Sequence, residues 1–103
     1  MKRRMEKQGS RLIVRLPKEL DHHEATVIRE EADRYLEAGC LSEILFDFSE
    51  TEFMDSSGIG MLMGRYRMIH LMGGRVFARH LHKQVYRIFQ MSGLEKIIEI
   101  IQE

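Results

Sequence analysis

The residues of this chain that could do chemistry are concentrated in the stretch FMDSSGIGML, which runs from Phe53 to Leu62. An aspartate precedes two adjacent serines, and two glycines follow with one residue between them. A serine held at a turn could act as a nucleophile, and a Gly-x-Gly loop could hold a phosphate. Asp-Ser-Ser could equally begin a helix. The neighbouring residues favour some of these interpretations over others.

Both chemical interpretations lack a required residue. The serine hydrolase elbow is G-x-S-x-G, but Met54 stands two places before Ser56, and Asp55 stands two places before Ser57. A dinucleotide loop is G-x-G-x-x-G, and the place of its third glycine is taken by Met63. The Gly-Lys-Ser/Thr of a Walker loop is absent. We therefore expect no catalytic serine, no nucleotide loop and no cofactor, and we predict that the protein is not an enzyme.

The stretch is more typical of a helix start, because Asp and Ser oxygens accept hydrogen bonds from the first N–H groups of a helix. A cap does not explain the glycines, however. Gly58, Gly60 and Gly64 each weaken a helix by about 1 kcal/mol relative to alanine. We therefore expect another element to approach this backbone closely, and the sequence leaves open whether it is the sheet or a partner.

Two apolar stripes follow at helical spacing. One consists of Ile59, Leu62, Tyr66 and Ile69 and suits packing on a sheet. The other consists of Met61, Met68 and Met72. Methionine is flexible, so this second stripe suits either the core or an adaptable contact surface.

Residues that commonly bind metals are poorly arranged for it. His22 and His23 are adjacent in a predicted first helical turn, where neighbours point apart. His80 and His82 could share a face, but no carboxylate is arranged with them. The single cysteine, Cys40, excludes an internal disulfide, and we expect it to be at least half-buried. We therefore predict exposed histidines and no metal.

Charge is balanced overall but segregated along the chain. The formal net charge is zero, so no global field attracts nucleic acid or an anionic membrane. Residues 19–24 and 50–55 are acidic, whereas residues 65–87 carry basic side chains and no acidic ones. These segments are either solvated faces or an acidic surface suited to a basic partner.

Nothing in the sequence predicts membrane insertion. No apolar run approaches the roughly 18 residues of a membrane span. The basic N-terminal segment has no apolar core after it, so it does not resemble a signal peptide. We expect a cytoplasmic protein with neither a membrane nor a nucleic acid as its partner.

The elements that must position these residues alternate between strands and helices. Pro17 closes a strand, Asp21 and Gly39 bound the first helix, and Asp55 caps the second. The predicted strands are 2–7, 11–17, 43–48, 75–79 and 96–101, and the predicted helices are 21–39, 55–71 and 82–93. This order implies an α/β domain with a mixed, mostly parallel sheet, in which only the N-terminal hairpin is antiparallel.

The segment FMDSSGIGMLMGRYRMIHLMGGRV resembles the central segment of the anti-sigma factor antagonists, which are single-domain members of the STAS family. RLPKELDHHEA and FQMSGLEKII resemble two further segments of these proteins, in the same order and at matching spacing. The likeness spans residues 10–100 and points most of all to the sporulation antagonists of endospore-forming bacteria. It implies one STAS domain over residues 1–103, with the helices largely on one side of the sheet.

The resemblance also implies a role in partner switching. The unmodified antagonist binds an anti-sigma factor that is also a serine kinase, and so releases a sigma factor. The kinase phosphorylates the serine that follows the aspartate, here Ser56, and a metal-dependent phosphatase of the PP2C type reverses this. The implied partner-binding residues around this serine are Glu19, Asp21, Asp55, Ser57, Gly58, Gly60 and Met61.

Three departures from the family pattern stand out. Pro17-Lys18 replaces a small residue and a glycine, so we expect a stiffer loop before Glu19 and a changed choice of partner, since proline restricts the backbone. ARHLHKQV is more basic than its counterpart, and relatives commonly continue past Glu103 into a final helix. Two other functions stay open: a STAS module in a signalling or stress complex without a sigma factor, and a small nucleotide-binding enzyme.

Overall fold

The computed structural model describes residues 4–102. Its helices are α1 (His22–Ala38), α2 (Ser56–Leu71) and α3 (Lys83–Ser92), followed by a short 3₁₀ turn at Leu94–Lys96. Its strands are β1 (Met5–Gln8), β2 (Arg11–Arg15), β3 (Glu19–Leu20), β4 (Glu43–Asp47), β5 (Phe53–Met54), β6 (Arg75–Arg79) and β7 (Glu99–Ile101).

Five strands form one sheet in the order β1-β2-β4-β6-β7. The β1–β2 hairpin turns at Gly9, which has a positive φ of 62°, and is the antiparallel pair of this sheet. The pairs β2–β4, β4–β6 and β6–β7 are parallel. The mixed, mostly parallel sheet that the sequence predicted is confirmed.

Alternation along the strands divides their side chains between two faces. One face joins the three helices in a single core, to which the strands contribute Leu12, Val14, Ile44, Phe46, Val76 and Ala78. The other face carries a small separate cluster of Ile13, Leu45 and Phe77, with Ile101 packed against it. The helices therefore lie on one side of the sheet, as predicted.

Long charged side chains cover the helix-free face. The guanidinium groups of Arg11 and Arg75 lie 5.9 and 5.2 Å from the centre of the Phe77 ring, within the range of cation–π contact. Arg11 also pairs with Glu43, and Arg75 pairs with Glu99. Arginine stems can shield apolar surface while their charged ends stay in water, so the small cluster is buried without a covering helix.

A second, two-stranded sheet pairs β3 with β5 in parallel, and the sequence did not predict it. Each strand has only two residues, too few for alternation to be recognised. The pairing matches Glu19 with Phe53 and Leu20 with Met54. It joins the segment before α1 to the segment before α2.

The predicted helix ends agree with the structure, while two local predictions were wrong. Gly39 and Gly93 end α1 and α3 with positive φ values of 83° and 81°. The last strand is shorter than predicted, because residues 94–96 form a 3₁₀ turn. Cys40 is exposed and not half-buried, since it follows Gly39 in a turn and itself has a φ of 67°.

Candidate functional site

The site is centred on the first turn of α2. The Asp55 carboxylate accepts hydrogen bonds from the backbone N–H groups of Ser57 at 2.9 Å and of Gly58 at 3.2 Å. Asp55 is thus the N-cap that the sequence predicted. Ser56 is the first helical residue and is exposed, and its side chain makes no hydrogen bond within residues 4–102. Its hydroxyl is therefore available to a second protein.

The β3–β5 pairing brings the segment around Glu19 and Asp21 to this helix start. The Leu20 carbonyl accepts a hydrogen bond from the Asp55 N–H at 3.3 Å. The Lys18 carbonyl likewise accepts from the Glu52 N–H at 2.8 Å. These main-chain bonds place the two acidic segments of the sequence side by side, and Ser56 follows directly after them.

The start of α1 contacts the start of α2. Asp21 caps α1 by accepting a hydrogen bond from the Glu24 N–H at 2.9 Å. His22 Nδ1 then lies 3.1 Å from Ser57 Oγ, at hydrogen-bonding distance. This contact of His22 could not be predicted from the sequence, because its partner is 35 positions away along the chain. The contact engages Ser57 and leaves its neighbour Ser56 free.

A hydrogen-bonded Ser–His pair also occurs in hydrolases, where a third group orients the histidine. Within residues 4–102, no hydrogen bond joins the other ring nitrogen of His22 to a carboxylate. The described part of the chain also holds no group of three or more residues that could bind a metal ion. The His22–Ser57 contact therefore joins two helices, and it lacks the remaining parts of a catalytic triad.

Two of the site's glycines have different surroundings. A Cβ built at Gly58 would lie 2.9 Å from the Leu20 carbonyl oxygen, so this glycine lets β3 approach the helix. A Cβ at Gly60 or at Gly64 would meet nothing within 4 Å. The close approach predicted for all three glycines thus occurs at Gly58 and not at the other two.

The methionine stripe does not form one exposed surface. Met61 is only 4% exposed and belongs to the core, and Met68 is half-buried. Met72 is 53% exposed, but it lies just past the other end of the helix, far along the chain from Ser56. Of the residues we predicted for partner contact, Gly58 and Met61 are buried, Glu19 and Gly60 are exposed, and Asp21, Asp55 and Ser57 are half-buried.

The loop that leads into the site is held by Asp47, at the end of β4. Its carboxylate accepts hydrogen bonds from the Ser49 N–H at 2.8 Å and from the Arg79 guanidinium at 3.2 Å. Burial by itself raises the pKa of the Asp47 carboxyl, but these hydrogen bonds outweigh burial and leave the pKa below its ordinary value. His82 donates a further hydrogen bond to the Ser49 carbonyl at 2.8 Å.

Comparison with protein families gives one matching description, the STAS domain, over residues 2–103. The chain is 38% identical to an anti-sigma F factor antagonist of Paenibacillus polymyxa, over 93% of this chain and 82% of the relative. It is 30% identical to an anti-sigma-B factor antagonist of Bacillus subtilis, over 84% of this chain and 78% of that one. No helix within the described residues is long and apolar enough to cross a membrane.

Among solved structures, the fold matches the anti-sigma factor antagonist SpoIIAA in its unphosphorylated form. The TM-score is 0.86 at 32% identity, covering 96% of this chain and 87% of the other. The phosphorylated form of SpoIIAA, a cell fate determinant of Bacillus, matches with a TM-score of 0.78 at 31% identity, covering 96% and 90% of the two chains.

Proposed function

Because this chain belongs to the STAS domain family and to its anti-sigma factor antagonists, we propose that it works as a phosphorylation-controlled switch. The unphosphorylated form binds an anti-sigma factor that is also a serine kinase, and a sigma factor is released. The kinase phosphorylates Ser56, and the complex dissociates. A PP2C-type phosphatase removes the phosphate and restores binding. The switch operates in the cytoplasm.

The observation that carries the proposal is the position of Ser56. It is exposed at the first position of α2, next to the capping residue Asp55. The neighbouring Ser57 is half-buried and lies at hydrogen-bonding distance from His22. A kinase needs a free hydroxyl that it can reach, and Ser56 meets that condition better than Ser57 does.

A phosphate on Ser56 is compatible with the folded domain. The N–H groups and the dipole at a helix N-terminus favour a negative charge. A phosphoserine adds about −1.5 to −2 charges at neutral pH. The helix start can hold that charge, so we expect phosphorylation to leave α2 folded.

The same charge opposes partner binding. Glu19 and Glu52 are exposed in the two segments joined by the β3–β5 pairing, and they already make this surface acidic. An interface formed around a neutral hydroxyl would have to accommodate a dianion without a matching cation. A loss of about 3 kcal/mol is reasonable for such a charge, and this weakens binding by more than about a hundredfold.

The relatives point to two types of sigma factor, F and B. The relatives include antagonists of anti-sigma F and of anti-sigma-B factors. We favour the F type because two of its members, from Paenibacillus polymyxa and Lysinibacillus sphaericus, are more similar to this chain, at 38% and 34% identity. Control of sporulation is then the expected biological setting.

The experiment is a capture of partners from an extract of the protein's own cells, followed by addition of ATP. The unmodified protein should retain an anti-sigma factor, and ATP should release it. Ser56→Ala should retain the same partner and keep it when ATP is added. Ser57→Ala is the matched control, which should still be released by ATP because Ser56 is intact.

Phosphate is then located by mass spectrometry on the released protein. Phosphate on Ser56 supports the proposal. Phosphate on Ser57, or capture of no anti-sigma factor at all, would contradict it.

A further inference from the structure

A cavity of about 310 Å³ lies between α1 and α2, and Ser56 does not line it. Ligand pockets commonly enclose roughly 300–1,000 Å³, so this cavity suits a compact ligand. Its polar lining comes from His22, Thr26 and Arg29 on α1 and from Ser57 and Arg65 on α2. None of the described residues that line it is acidic.

Arg65 is a buried cation whose contacts are incomplete. Its side chain is only 7% exposed. Its Nε lies 3.0 Å from the Asp33 carboxylate, and its Nη2 lies 3.6 Å from the Met68 sulfur. Its Nη1 is buried and has no hydrogen-bond partner within residues 4–102. Buried polar groups without partners are costly and uncommon in folded proteins, and Arg65 also lines the cavity.

A second cation lies close to it. Burial lowers the pKa of Arg65, the Asp33 carboxylate raises it, and the positive charge of Arg29 lowers it further. Arg29 is exposed and lies about two turns along α1 from His22. Asp33 is the carboxylate that pairs with Arg65. The cavity itself is lined by two arginines and by no acidic residue, so its lining carries an excess of positive charge.

We propose that this cavity binds a small phosphate-bearing anion, with Arg29 at its entrance and Arg65 at its base. An anion would relieve the repulsion between the two guanidinium groups, and arginine is well suited to phosphate oxygens. The Ser57 hydroxyl supplies a further polar group at the same wall. The cavity is larger than an inorganic phosphate ion, so it also has room for a short organic group.

The test follows backbone amide signals by NMR while the purified protein is titrated with inorganic phosphate or with glycerol 3-phosphate. Sodium chloride at matched ionic strength controls for general salt effects. Saturable shifts should appear at residues of the cavity wall, including Thr26 and Gly60. Tighter binding of glycerol 3-phosphate would identify a phosphate ester as the ligand, and equal binding would identify the phosphate ion.

Arg29→Gln is the decisive variant, because Arg29 is exposed and its replacement should not disturb folding. Loss of this cation should weaken binding by about tenfold or more. Arg34→Gln is the matched control, since it removes the same charge from an exposed position of α1 that does not line the cavity. Shifts that do not saturate, or equal binding by Arg29→Gln and wild type, would overturn the proposal.

The proposed anion site and the proposed phosphorylation switch can be tested independently of each other. Ser56 does not line the cavity. Ser56→Ala should therefore bind the anion as wild type does, whatever its effect on the anti-sigma factor. Loss of anion binding in Ser56→Ala would show that the anion sits at the helix start and not in the cavity.

Discussion

Gly58 on α2 packs directly against Leu20 of β3, and a Cβ at Gly58 would lie 2.9 Å from the Leu20 carbonyl oxygen and 3.0 Å from its Cγ. The same carbonyl accepts the hydrogen bond from Asp55 that holds the start of α2. A missing side chain thus allows the strand before α1 and the helix after β5 to share one backbone contact. The site depends on this contact for its shape.

We expect Gly58→Ala to destabilise the fold. Alanine favours a helix over glycine by about 1 kcal/mol, but the added methyl group would press on a backbone oxygen that cannot move without shifting β3. Overpacking of this kind costs about 1–3 kcal/mol. Thermal unfolding should show a lower Tm.

Gly64→Ala is the matched control on the same helix, because a Cβ there meets nothing within 4 Å. This variant should gain the higher helix propensity of alanine without any clash. Its Tm should rise by several degrees, since a domain of this size gains roughly 4–8 °C per kcal/mol of stability. An equal response of the two variants would show that Leu20 does not constrain Gly58.

A larger side chain at Gly60 should weaken binding to the partner without reducing the stability of the fold. It is exposed, and a Cβ there also meets nothing within 4 Å. Gly60→Gln should therefore leave the Tm unchanged or slightly raised, while binding to the anti-sigma factor weakens. Calorimetric titration and thermal unfolding of the same preparation measure both effects. Unfolding of Gly60→Gln would show instead that this glycine serves the interior.

Asp47 should make stability sensitive to acid. Its pKa in the folded protein lies below the ordinary value of 3.8. The ionised carboxylate therefore stabilises the fold above that value, and the contribution is lost as the pH falls through the folded pKa. Denaturant unfolding should show wild type losing stability below about pH 4.

Asp47→Asn keeps the size of the side chain and removes its ionisation. This variant should be less stable at neutral pH, because the partner Arg79 loses its carboxylate. The difference in the free energy of unfolding between Asp47→Asn and wild type should shrink as the pH falls below about 4. A constant difference at every pH would mean that the Asp47 charge does not contribute.

The parts of the fold that depend on local pattern could be predicted from the sequence. The caps at Asp21 and Asp55 and the stops at Gly39 and Gly93 rest on interactions within a few residues, which a sequence displays directly. Leu45 was harder to place. It lies between Ile44 and Phe46 in an apolar run, so nothing local indicated that it faces the helix-free side of the sheet.

The features of the site that the sequence did not reveal join distant segments. The β3–β5 pairing, the His22–Ser57 contact and the Asp33–Arg65 ion pair connect residues 32 to 35 positions apart. Neither hydrophobic periodicity nor capping chemistry contains that information. Gly58 is an example. The low helix propensity of glycine indicated that another element approaches this position closely. The sequence could not identify Leu20 as that neighbour, and it could not exclude the same role for Gly60.

The charge of a phosphate on Ser56 and its effect on folding can be tested separately. Ser56→Asp places one negative charge at the first position of α2, where the helix dipole favours an anion. The variant should therefore keep the circular-dichroism spectrum and the Tm of wild type. It should nevertheless bind the anti-sigma factor much more weakly, because the charge lies in the proposed interface. Ser56→Asn is the matched control, since it has nearly the same shape without the charge, and it should retain more of the binding. Binding of Ser56→Asp as tight as that of wild type would show that Ser56 is not the switch. Unfolding of Ser56→Asp would show that phosphorylation acts through the stability of α2 and not through the interface.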